Sequence, residues 1–104
     1  MGGGAIIRLL NTNALEITEL VVNNDIGKEL LIETFSPACT GALEIKIPAN
    51  QIIQDSSIAY ISLSVTVSNK GTILNNETIY MPEFDDYYSD HFWHYYTIDL
   101  NNYM

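Results

Sequence analysis

The residues best suited to chemistry gather in one stretch of the chain. His91 and His94 stand three apart, and Glu83, Asp85, Asp86 and Asp90 come just before them. On a helix, Asp90 and His94 would share a face and His91 would neighbour His94. Two imidazoles and a carboxylate arranged so can hold zinc or nickel. On a strand the two histidines point to opposite faces and the site fails. Phe92, His94, Tyr96, Ile98 and Leu100 alternate with Trp93, Tyr95, Thr97 and Asp99, which predicts a strand, so no transition metal is expected. The four carboxylates lack the glycine-hinged spacing of a calcium loop, and no glycine follows Gly71. No cofactor of any kind is expected.

Other reactive patterns are missing too. Serine occurs in no G-x-S-x-G elbow, and Gly2-Gly3-Gly4 leads to no phosphate-cradling lysine. Paired carboxylates can cleave glycosides, but a chain of 104 residues offers little room for a substrate cleft. The lone cysteine, Cys39, sits in a turn-like stretch from Ser36-Pro37 to Gly41 and reads as an inert loop residue. Neither an enzyme nor a small-molecule substrate is expected.

Charge narrows the partners. Thirteen carboxylates face four basic residues, Arg8, Lys28, Lys46 and Lys70, for a net charge of −9. Phosphate backbones and anionic membrane surfaces are repelled by such a chain. After Lys70 no basic residue follows to neutralise Glu77, Glu83, Asp85, Asp86, Asp90 and Asp99. The same region holds nine of the eleven aromatic residues, between Tyr80 and Tyr103. Tyrosine and tryptophan beside charge are the composition of interface hot spots. Tyr87, Tyr88, Trp93, Asp85, Asp86 and Asp90 are therefore the expected partner-binding residues. A carbohydrate platform built on exposed aromatics is the alternative.

The elements that must position these residues read as strands. Ile61, Leu63, Val65 and Val67 alternate with Ser62, Ser64 and Thr66, and Leu43-Glu44-Ile45-Lys46-Ile47 repeats the pattern; period two marks a half-buried strand. Residues 5–10 read as an edge strand, with Arg8 discouraging further pairing. Residues 28–35 are apolar on both faces and read as a central or interface-facing strand; residues 78–81 make a short one. Residues 14–22 fit a strand with a bulge where the apolar phase slips between Ile17 and Leu20, or a two-turn helix capped by Asn13. Residues 51–55 read as a helical turn or a short crossing strand. Turns are expected at 11–13, 23–27, 36–41, 48–50, 68–71 and 75–76, a spacing typical of all-β sandwiches. One domain over residues 1–104 follows: a single antiparallel β-sandwich of seven to eight strands with a possible short helical turn.

The passage over residues 43–68, a strand, a polar link with Asp55, then Tyr60 opening a long alternating strand, resembles the E-to-F passage of immunoglobulin-like sandwiches. That resemblance implies an immunoglobulin-like fold in which the Tyr60 hydroxyl bonds backbone near residues 55–57. The chain departs from immunoglobulin domains in lacking paired cysteines and in placing its one tryptophan, Trp93, late. In size, acidity and asparagine-rich, lysine-poor composition the chain resembles the small decoration or auxiliary proteins of tailed-phage heads. This second resemblance implies a structural module in a virion, bound to a capsid lattice protein. Without that implication a soluble, cytoplasmic protein is expected, because no apolar stretch approaches the ~20 residues that span a bilayer and the start lacks the basic and apolar regions of a secretory leader.

Overall fold

The computed structural model describes residues 3–52, 61–81 and 93–100. Seven strands occur among them: β1 (Gly4–Leu10), β2 (Ile17–Asn24), β3 (Glu29–Cys39), β4 (Leu43–Pro48), β5 (Ile61–Asn69), β6 (Thr72–Met81) and β7 (Trp93–Asp99), with one helical turn, α1 (Ala49–Ile52), after β4. They form two sheets, ordered β4-β1-β7 and β3-β2-β5-β6. The chain is an all-β sandwich. Four of its five strand pairings are antiparallel. The fifth, β1 with β7, is parallel, so the last strand returns alongside the first.

Alternation dictates the core. Leu63, Val65 and Val67 of β5 are fully buried, and so are Ala5, Ile7 and Leu9 of β1. The register lines Ile7 up with Ile45 and Tyr96, and Leu9 with Leu43 and Ile98. Leu20 and Val22 of β2 complete the facing layer. Each such side chain stabilises the fold by roughly 1.5–3 kcal/mol relative to exposure.

Of residues 14–22, the part from Ile17 onward is strand, within β2, and the phase slip expected there is present. Ile17 and Leu20 are both buried, and the β2–β3 register breaks between Ile17 and Glu19 so that residues 35–38 lie opposite Thr18 alone. Thr18 Oγ1 accepts the Lys70 amide at 2.7 Å, tying this irregularity to the β5–β6 hairpin. At the β2–β3 turn, Asn24 Oδ1 accepts the amides of Ile26 (3.1 Å) and Lys28 (2.8 Å). The 51–55 reading resolves as the helical turn α1 within its described part.

Five expectations are corrected. β1 is not an edge strand but the centre of its sheet, because Arg8 is matched by neighbours on both sides. β3 is not central but an edge, with Ile32 48% exposed; its two-faced apolar pattern reflects a strand that overhangs the core. Ser36-Pro37, joined by a cis peptide, lies within β3 rather than in a turn, and the chain breaks only after Cys39. Asn75-Asn76 is not a turn either, and the short strand expected at 78–81 is the end of the ten-residue β6. The hairpin instead turns at Lys70-Gly71, both at positive φ (49° and 85°), a two-residue geometry whose twist suits flanking strands. Tyr60 and residues 55–57, the expected corner, lie outside the described residues.

Both edges of the four-stranded sheet carry a carboxylate in a core-facing register position. Glu33 of β3 stands opposite Leu20, and Glu77 of β6 opposite Val65. A further strand added at either edge would have to bury a charge, the device by which sandwiches resist edge-to-edge association.

Burial raises the Tyr96 phenol above its ordinary value of 10.0. A raised folded-state value means the native state holds its proton where the unfolded chain has lost it. The Tyr96 contribution to stability is thus intact below about pH 10 and lost as pH rises beyond it. Tyr96→Phe should flatten the alkaline limb of a melting-temperature profile and leave the neutral region nearly unchanged.

Candidate functional site

The outward residues of β4-β1-β7 fall into rows. Pro48, Gly4 and Trp93 share one, Lys46, Ile6 and Tyr95 the next, and Glu44, Arg8 and Thr97 the third. Ile6 is outward yet only 3% exposed, lying in register between Lys46 and Tyr95. Around it the face pairs cations with rings. The Arg8 guanidinium lies 4.4 Å from the Tyr95 ring centroid, and the Lys46 ammonium 5.7 Å from that of Trp93. Arg8 Nε also donates to Glu44 Oε2 at 3.0 Å, with both side chains about half exposed (50% and 47%). In such exposure the ion pair is worth less than ~1 kcal/mol, and each cation–ring contact roughly 0.5–1 kcal/mol. Their main effect is to hold long side chains flat. Tyr95 remains 56% exposed and Leu10, at the end of β1, 41%.

Of the expected partner-binding residues, Trp93 lies in this face, half-buried, with Tyr95 beside it. Asp85, Asp86, Tyr87, Tyr88 and Asp90 lie outside the described residues, as does His91. His94 takes the opposite phase from Trp93, half-buried on the inner side of β7 in register with Ala5. Among the described residues no group of three or more histidine, cysteine or acidic side chains gathers as a metal site. No helix among them is long and apolar enough to cross a membrane.

Sequence reasoning missed Arg8, Glu44 and Lys46 as members of the face. Its statement that no cation follows Lys70 is true along the chain but not in space, since β1 and β4 bring two of the four basic residues against Trp93 and Tyr95. A signal existed in the outward phase of Glu44 and Lys46; what joins them to Trp93 is the parallel β1–β7 pairing. Comparison with known proteins adds no relative: no family model, no curated protein and no solved structure matches the chain.

Proposed function

We propose that this chain is a non-catalytic accessory module that docks on a larger protein assembly through the outer face of β4-β1-β7, continued by the aromatic and acidic residues that precede Trp93 in sequence. The observation that carries the reading is the set of rings and cations held together on an exposed sheet face. Aromatic rings supply contact area at low entropy cost, and fixed charges set the encounter rate and register. A virion is the assembly this reading favours, with a capsid lattice protein as partner, on the strength of the compositional resemblance.

The test is co-sedimentation with particles from the native source. Lys46→Glu combined with Tyr95→Ser alters two exposed positions and should leave the melting midpoint within a few degrees of wild type. Occupancy of the particle should fall at least ~10-fold, as for loss of hot-spot contacts. Wild-type occupancy by the folded double variant contradicts the assignment of this face. Tyr87→Ser with Tyr88→Ser tests the contribution of the preceding segment in the same assay.

A further inference from the structure

On the outer face of the other sheet, the β5–β6 part is chemically unlike the first and unlike the β2–β3 part, which carries Glu19, Val21 and Ile32. Ser62, Ser64 and Thr66 of β5 stand opposite Tyr80, Thr78 and Asn76 of β6 in successive rows. Tyr80 is 77% exposed, and Asn76 and Thr78 are exposed beside it. None of the six carries a charge, on a chain whose net charge is −9. Ser64 Oγ and Asn76 Oδ1 meet at 3.4 Å, while the side chains of Ser62, Thr66 and Thr78 make no hydrogen bond to another described residue. The result is a flat grid of neutral donors and acceptors, repeating about every 4.8 Å across the strands, with an open aromatic ring at its end.

We infer that this β5–β6 face binds a neutral saccharide, one sugar ring stacked on Tyr80 with its hydroxyls bonded to Ser62, Thr78 and their neighbours. The ligand class follows from the chemistry. An apolar protein surface would strand the hydroxyls and the amide without partners, at a desolvation cost for each. A polyanion would be repelled by the charge of the chain. A polyol ring matches both features, offering C–H groups to the phenol face and hydroxyls to the grid. Trp93 and Tyr95 suit this role less, because Lys46 and Arg8 already lie over their rings. The inference is independent of the docking role proposed for β4-β1-β7.

Affinity electrophoresis tests it in native gels containing laminarin, mannan, dextran or galactomannan, with alginate as the polyanionic control. The expected result is retardation in at least one neutral gel and none in alginate. Tyr80→Ala, at an exposed position, should keep the wild-type melting curve and weaken retardation at least ~10-fold, the loss expected of an aromatic hot spot. Thr78→Glu should weaken it as well, by placing a charge in the grid. Lys46→Glu with Tyr95→Ser should leave it unchanged, which separates this site from the docking face. Free migration in all four neutral gels overturns the inference, and so does retardation that survives Tyr80→Ala.

Discussion

Gly4→Ala will destabilise the protein by about 3 kcal/mol or more, because the new methyl group has no place to go. Gly4 lies between Pro48 and Trp93 in the sheet, at a φ of 156°. A Cβ built there overlaps the Ile47 carbonyl oxygen and falls 2.8 Å from the Ala49 amide nitrogen. Both obstacles are backbone, and the Ala49 amide is itself held by the Gly3 carbonyl at 2.9 Å. Relief requires β1 to move away from β4, which disturbs the core rows of Ala5 and Ile7 and the face carrying Trp93. In a domain of this size each kcal/mol lowers the melting midpoint by roughly 4–8 °C, so a fall of at least ~12 °C is expected. Gly41→Ala is the control: open space surrounds that position, and its midpoint should stay within a few degrees of wild type. A Gly4→Ala protein that melts like wild type contradicts the close approach of β1 and β4.

Asn75→Leu should act in the opposite direction. Asn75 is 1% exposed on β6, opposite Val67, and neither its Oδ1 nor its Nδ2 has a hydrogen-bond partner among the described residues. A buried amide without partners costs roughly 1–3 kcal/mol in desolvation, and leucine is close to asparagine in shape. The substitution should therefore raise stability by about 1–3 kcal/mol in a denaturant titration, with an unchanged m-value. Asn24→Leu provides the contrast, since Asn24 Oδ1 satisfies two turn amides; losing them should cost ~1–2 kcal/mol. If Asn75→Leu destabilises the protein as Asn24→Leu does, the Asn75 amide is engaged and the account of β6 is mistaken.

The same asparagines show where sequence reasoning reaches and where it stops. β5 was legible because seven residues alternate without a break, and β4 because Glu44 and Lys46 mark the outward phase. The slip between Ile17 and Leu20 announced a bulge correctly, since side-chain period is a local property. β7 was legible for the same reason, down to Trp93 and Tyr95 sharing a face. Asn75-Asn76 looked like a turn because asparagine favours turns locally, yet pairing with Val67 and Thr66 holds both in a strand. Arg8 looked like an edge marker because its two partners, Glu44 and Tyr95, come from distant parts of the chain. The proposed docking face was half legible: its aromatics stood out in composition, while its cations became visible only once β1 paired with both β4 and β7.

The proposed docking face can be tested by photo-crosslinking on the native assembly. A benzophenone side chain at Tyr95 would lie on the outer face of β4-β1-β7, and one at Ile26 would lie at the exposed tip of the β2–β3 hairpin. If the proposed docking is right, the Tyr95 probe captures a lattice subunit of the particle in high yield and the Ile26 probe captures none. Capture from Ile26 with none from Tyr95, by a protein that still occupies the particle, would contradict it.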